Sequence, residues 1–433
     1  MRIREVALLC LSPLIWAQTV SFPEILEYAT QNATILKIKS TDTLIESKNI
    51  KVQEAAYYPS FDVSYNAEYN QALDGIPLGV ESVGGETISN GTRYQSSIAL
   101  KLNYDLYHFG ATDKRVDIAS SSLDIKRVEW CEQEKQLHQE ILQKYSDALK
   151  SDIEKHYKAE MLNLRKDLYS MKERLYKIGR YSKVDLGDEA IYMIGLQRDI
   201  ENSQMFYKES LIKLSQLSYK ELSDKTHLLP FTTELEDGIV EDYEDTTQAV
   251  ILRKKIKQKK DEISLQFREQ LPSFGLYSSY YMYASHPRGY EYTITQINKK
   301  SWNVGLSLRY NIFEGFKHSA SEEQLKLELS RLEQEMFDSK HNHTYELKSK
   351  LTKIDELNLI REHEQNLLDE NYKKRDMLEK LHKFKKVDML TKINAQYELL
   401  ERELTIKIRE IEAAYENISL SIVHRGINKC SPH

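Results

Sequence analysis

The same sentence of sequence is written twice in this chain. Pro59-Ser60-Phe61 opens a stretch that closes on Tyr104-Asp105-Leu106-Tyr107-His108-Phe109-Gly110. Pro272-Ser273-Phe274 opens another that closes on Tyr310-Asn311-Ile312-Phe313-Glu314-Gly315. After each comes a run with neither glycine nor proline, residues 111–178 and 316–425. In a helix interior glycine costs about 1 kcal/mol and proline about 3, so these runs read as helices without a break. A strand pair feeding an uninterrupted helix, repeated, constrains the whole fold.

The strand segments alternate. Phe61, Val63, Tyr65, Ala67 and Tyr69 take turns with polar residues, as do Tyr94, Ile98, Leu100, Leu102, Tyr104 and Leu106. The second half repeats this with Phe274, Leu276, Tyr280 and Met282, then Trp302, Val304, Leu306, Leu308, Tyr310 and Ile312. Period two gives each strand one apolar and one polar face. The predicted strands, about 61–70, 94–107, 274–283 and 302–313, have the length of tilted membrane-spanning strands. Fourteen of the 28 tyrosines fall in residues 57–107 and 277–310, a fifth of the chain. Aromatic rings with a polar end gather where membrane meets water. A soluble antiparallel sheet with one wet face alternates in the same way. The loops 71–93 and 284–300 favour the membrane reading, being long, polar and rich in turn residues. Four strands cannot close a barrel, and a lipid-exposed edge leaves backbone groups unpaired. Membrane strands would therefore require several copies, and two, three or four all give an even-numbered barrel.

The helical segments carry a second pattern. Met161, Leu164, Leu168, Met171, Leu175 and Ile178 are spaced 3, 4, 3, 4, 3. Leu390, Ile393, Tyr397, Leu400, Leu404, Ile408, Ile411, Tyr415, Ile418 and Ile422 continue almost as regularly. That is a coiled-coil seam. At 1.5 Å per residue a helix over 111–178 reaches about 100 Å. Each run breaks at a similar place, Gly179-Arg180-Tyr181-Ser182-Lys183-Val184-Asp185 and His382-Lys383-Phe384-Lys385-Lys386-Val387-Asp388. Aligning Val184-Asp185 with Val387-Asp388 pairs Gly179 with His382. Two helical hairpins follow, with strands at one pole and turns at the other.

These elements give the organisation. Residues 1–17 read as a signal peptide, with Arg2 and Arg4 before an apolar Val6–Trp16 and Ala17 at the cut. A first repeat covers 18–220, with long helices 111–178 and 184–218. An acidic segment, 221–246, sets nine carboxylates against one lysine. A second repeat covers 247–425, with helices 317–381 and 387–424, and 426–433 is a disordered tail. The net charge of -6 suggests no nucleic-acid partner. Cys131 and Cys430, which remain after cleavage, show neither zinc spacing nor a disulfide framework. No catalytic motif, phosphate loop or cofactor motif is present, so no cofactor is expected and an enzyme is not. His341 and His343, two apart on a helix, point about 200° from one another and cannot share a metal. They read as solvated.

Several motifs, in this order, resemble the TolC-like outer membrane efflux family. They are Ser21-Phe22-Pro23-Glu24-Ile25-Leu26-Glu27-Tyr28-Ala29-Thr30-Gln31-Asn32, Ala55-Ala56-Tyr57-Tyr58-Pro59-Ser60-Phe61, the aromatic strand ends, and Gly179 to Val184-Asp185-Leu186. The chain departs where Ala33 replaces a frequent proline and His382 replaces the turn glycine. The resemblance implies a mainly helical fold with membrane strands. Three chains would build a twelve-stranded barrel in the outer membrane of a Gram-negative bacterium and an α-barrel across the periplasm. Residues 221–246 would lie in an equatorial collar. It also implies a passive duct docked on a periplasmic adaptor protein and an inner-membrane pump, proton-driven or ABC type. Exit of secreted proteins is the neighbouring alternative, and a structural coiled-coil envelope protein is one from another class.

The resemblance places acidic residues at a periplasmic mouth, where Asp185, Asp188 and Asp388 would form rings of charge in a trimer. Carboxylate rings focus field and attract cations. Asp185 and Asp388 serve equally as helix N-caps. Gly179, Lys183, Lys385 and Lys386 are the expected tip and adaptor contacts, and Leu100, Leu102, Leu306 and Leu308 the expected lipid face.

Overall fold

A computed structural model describes residues 19–70, 93–231 and 242–424, apart from Pro287, Gln296 and Asn298. The expected signal peptide and tail lie outside the described residues, as do most of the first hairpin loop and ten residues of the acidic segment. In chain order the elements are β1 (Thr19–Val20), α1 (Phe22–Asn32), α2 (Thr34–Glu54), β2 (Ser60–Asn70), β3 (Arg93–Tyr107), α3 (Ala111–Lys177) and α4 (Lys183–Ser218). Then come β4 (His227–Leu228), α5 (Thr247–Glu269), β5 (Ser273–His286), α6 (Tyr290–Thr295), β6 (Lys299–Arg309), α7 (Lys317–Lys383) and α8 (Met389–Val423). The fold is mainly helical. Helices α3 and α7 are each 67 residues long, and neither is interrupted. Among the described residues no helix is long and apolar enough to cross a membrane.

The chain divides into two compact units. The first holds residues up to Ser40, Val128–Val250 and Asp338 onward. Its core gathers Phe22, Ile25 and Ala29 of α1 against Ile141, Leu142 and Tyr145 of α3 and Leu211 and Leu214 of α4. Spaced by three and four, Phe22, Ile25 and Ala29 lie on one face of α1 and turn it to this core. Strands β1 and β4 pair in parallel, Thr19 with His227 and Val20 with Leu228. Tyr145 ties them down, its buried hydroxyl donating to Leu229 O at 2.6 Å and lying 3.1 Å from Val20 O. Trp130 Nε1 donates to Leu36 O at 3.1 Å. Cys131 is buried in this core and is not in a disulfide.

Helix α8 is packed on two sides. Tyr397, Leu400 and Leu404 meet Met161 and Leu162 of α3 and Leu196 of α4, while Leu399 and Ile406 meet Leu368 of α7. The seam in the sequence identified only the first stripe. The α3 seam is also shorter than its spacing suggests. Met161 and Leu168 are buried, but Ile178 is exposed, because the helix has ended by then and no partner stripe continues.

The second unit holds Thr41–Arg127 and Ile251–Phe337. Its four strands form one antiparallel sheet in the order β2-β3-β5-β6. The register places Phe61 opposite Leu102, Val63 opposite Leu100, Leu100 opposite Tyr280, Leu276 opposite Leu306 and Phe274 opposite Leu308. Residues directly opposite share a face, so the apolar positions of all four strands lie together. One bulge falls between Asp105 and Tyr107. The fourth strand ends at Arg309, not at 313 as the alternation suggested. Its partner β5 begins at Ser273, after Pro272, and Ser273 pairs with Arg309. Proline has no N–H for a further rung, so Tyr310 and Ile312 have no ladder to join. Around the sheet's helices Lys114 pairs with Asp261, Arg115 with Glu269 and Lys259 with Glu328.

Both strand-to-helix junctions use left-handed backbone. Phe109 and Gly110 have φ of 49° and 74°, and Gly315 and Phe316 have 61° and 65°. At the first, Arg268 donates to the carbonyls of Phe109 and Gly110 at 3.0 and 3.1 Å. Space there is already taken: a Cβ on Gly110 would meet the Arg268 guanidinium.

Candidate functional site

Two features stand out, one in each unit. In the second unit it is the apolar face of the sheet. Trp302 is 73% and Leu306 76% exposed, and Phe61, Val63, Leu100, Val304 and Leu308 are exposed beside them. Large apolar patches left open on one chain mark a surface that something else covers. The opposite face carries Asp62, Lys101, Asn103, Asn303 and Ser307. Helix α6 packs at one end of the apolar face, where Thr293 bonds Ser96 at 2.6 Å and Tyr290 meets Tyr94 edge-on.

In the first unit it is the pair of turns that close the helical hairpins. They are built alike. After α3, Gly179 has φ of 74°. Gly179 N donates to Tyr176 O and Arg180 N to Leu175 O, both at 2.9 Å. After α7, Lys385 has φ of 57°, Lys385 N donates to His382 O and Lys386 N to Leu381 O, again both at 2.9 Å. Each is a Schellman stop, which satisfies the last carbonyls of a helix through one left-handed residue. The counterpart of Gly179 is therefore Lys385, not His382.

The N-caps of the next helices stand three residues after these left-handed positions in both cases. Ser182 caps α4, its Oγ accepting from Asp185 N at 3.1 Å while Ser182 N donates to Asp185 Oδ2 at 3.2 Å, a reciprocal capping box. Asp388 caps α8 directly, accepting from Thr391 N at 2.9 Å. Asp388 thus stands where Ser182 stands, and Asp185 aligns with Thr391. The match of the two Val-Asp pairs is offset by one helical turn, and the expectation that Asp185 caps its own helix is corrected to the third helical position. Both carboxyls are held below the ordinary aspartate value, Asp185 by its bonds with Ser182 and Asp388 by those with Thr391.

Asp185, Asp188, Asp388, Gly179, Lys183, Lys385 and Lys386 are all exposed. Among the described residues no ion pair links these lysines to these aspartates. The charge that is buried near the turns lies one residue beyond Asp188. Glu189, 4% exposed, binds Lys172 at 2.8 Å and Arg165 at 3.4 Å. The Arg165 guanidinium is sandwiched between the rings of Tyr192 and Tyr397, at 4.3 and 4.1 Å, and the two hydroxyls bond at 2.9 Å. Cation–π contacts of this sort strengthen as water is excluded. The sequence reading missed this cluster. Its only trace was Tyr397, one of two tyrosines in a seam otherwise made of aliphatic residues.

Residues 46–218 match the family model of outer membrane efflux proteins. The resemblance read from the motifs is borne out. A likeness of fold to solved outer membrane channels extends well past that segment. The CmeC outer membrane channel of Campylobacter jejuni superposes with a TM-score of 0.80 at 12% identity, over 95% of this chain and 87% of that one. CusC, described for its transmembrane channel formation, gives 0.76 at 14%, over 94% and 92%. VceC of Vibrio cholerae gives 0.74 at 11%, over 94% and 96%. At such identities the likeness is one of fold. No curated protein matches the chain significantly.

The likeness of fold, over 94–95% of the chain, takes in both features. It says nothing of the cluster around Glu189, which belongs to the side chains of this sequence.

Proposed function

We propose that this chain is one protomer of a homotrimeric outer-membrane efflux duct. Three copies of the four-stranded sheet would close a twelve-stranded barrel, and the two repeats, arisen by internal duplication, would supply helical hairpins extending into the periplasm. The observation that carries this reading is the sheet: four paired strands, an apolar face left open beyond the end that α6 covers, and β2 and β6 each paired on one side only among the described residues. Lipid would cover the face, with Leu100, Leu102, Leu306 and Leu308 in contact. Neighbouring copies would cover the edges, whose unpaired backbone groups cost several kcal/mol each in hydrocarbon, on the order of 2–7 apiece. The duct is passive. A periplasmic adaptor would dock near Gly179, Lys183, Lys385 and Lys386, and an inner-membrane pump would load small molecules.

Asp185, Asp188 and Asp388 would set the charge of the periplasmic mouth. In a trimer each position contributes three carboxylates at a narrow opening. Single-channel recording in planar bilayers tests this. The purified protein should conduct, prefer cations and be blocked by multivalent cations, and the Asp185→Asn/Asp388→Asn double variant should lose much of that preference at low salt. A protein that does not conduct overturns the duct. A conducting one whose selectivity is unmoved removes these aspartates from the mouth.

A further inference from the structure

His343 is not the solvated histidine its place on a charged helix suggests. Its ring lies 5.6 Å from that of Tyr243 and 5.1 Å from that of His424, both centroid to centroid. His424 caps the C-terminal end of α8, its backbone N–H donating to Leu420 O, and is 3% exposed. Among the described residues the Nε2 atoms of both histidines and the Tyr243 hydroxyl are buried with no hydrogen-bond partner. Three orphaned polar atoms in one cluster call for an explanation.

The charges around the cluster decide what it can do. Helix α7 brings Glu346 toward His343 and Lys350 toward His424, the turn before α5 brings Asp242, and α3 brings Lys135. Lys350 donates to Ser419 Oγ at 3.0 Å, and Lys135 reaches Val423 O and Thr247 Oγ1 at 3.4 Å, so both ammonium groups are fixed in place. A metal ion is disfavoured beside two ammoniums, and among the described residues no group of three or more His, Cys, Asp or Glu could hold one. The pair can titrate. Burial, with His343, Lys350 and Lys135 nearby, pushes His424 down to about 4, and burial lowers His343 as well.

We propose that His343 and His424 form an acid-sensitive latch that holds the C-terminal end of α8 against α7 and the Tyr243 turn while both rings are neutral, and releases it when they are protonated. Two imidazoliums about 5 Å apart beside two ammoniums repel, and among the described residues neither Nε2 has a hydrogen-bond acceptor for its proton. The direction follows from linkage. The folded value of His424 is lower than the unfolded one, so the open end binds protons more readily. The latch is at full strength above about pH 6.5, the ordinary histidine value, and weakens from there down to about 4.

Hydrogen exchange of the full chain in detergent, corrected for the intrinsic rate at each pH, tests this. Between about pH 7.5 and 5, protection of the amides in 416–424 should fall at least about tenfold. Protection of 141–149, in the first unit's core, should hold. The His343→Gln/His424→Gln variant should show no such fall, and His343→Gln alone, which keeps His424, a shallower one. The latch is overturned if the parent is flat, if the core segment loses protection equally, or if either Gln variant falls as steeply as the parent. Should the double variant not fold, the parent's two segments and the single variant decide the matter.

Discussion

Asp388 and Asp185 are the same residue type beside the same kind of turn, yet they do different work. Asp388 is a cap; Asp185 is the third residue of a helix capped by Ser182. Asp388→Ala and Ser182→Ala should each destabilise by about 1 kcal/mol, Asp388→Asn by only a few tenths, and Asp185→Ala less than Ser182→Ala. Thermal unfolding followed by helical circular dichroism reads this, and a Ser182→Ala variant as stable as the parent would reverse the cap assignment. The pH dependence has a definite sign. The bonds from Thr391 lower the Asp388 carboxyl in the fold. Its contribution is therefore complete above the unfolded value of about 3.9 and is lost as the pH falls through the folded value. The gap between parent and Asp388→Ala should stay constant from neutral pH to about 5 and close only in stronger acid.

Among the elements, the two Schellman stops invite a paired experiment. Gly179 occupies its left-handed position at no steric penalty, whereas Lys385 occupies the equivalent one with a Cβ. Gly179→Ala should destabilise by about 1 kcal/mol, and Lys385→Gly should stabilise by up to a similar amount. If both changes destabilise alike, the two turns are not equivalent. For the sheet, the register sorts the residues of β6 cleanly. Arg at Leu306, on the open apolar face, should cost about 2–4 kcal/mol near a bilayer midplane, and Arg at Asn303, on the polar face, far less. Heat-modifiable migration of the folded species on gels, which reports assembly, should distinguish them. Equal loss from both would mean that lipid does not cover the apolar face.

At the scale of the whole molecule, the open sheet carries the strongest expectation. A single chain leaves β2 and β6 each with an unpaired edge among the described residues. In detergent the protein should have the mass of three chains, read by light scattering with the micelle contribution subtracted. A stable monomer with the sheet intact would require another partner for both edges. Pairing of β2 of one copy with β6 of the next is the antiparallel arrangement that repetition would give.

Period and composition alone determined a good deal here. Up to the bulge after Asp105 and the end of β6 at Arg309, alternation fixed which strand residues share a face, because a strand has only two faces and a one-residue slip would expose the wrong one. The absence of glycine and proline marked both ends of α3 and the start of α7, but not where α7 stops, because a left-handed lysine makes that turn. Only the tertiary structure decided the rest. It showed that α8 buries two stripes, which a single heptad reading cannot separate. It ended β6 where its partner begins. It set the alignment of the turns through caps and a left-handed Lys385, against the better match of letters. And it turned His343 and Arg165 inward. Burial of a polar side chain depends on what packs over it, and that partner is more than a hundred residues away for His138 on Thr30, for Tyr397 over Arg165 and for Lys135 beneath Val423. Nothing local in the sequence encodes such a neighbour, so the charges on the surface of a helical wheel could not be told from those inside until the helices were placed together.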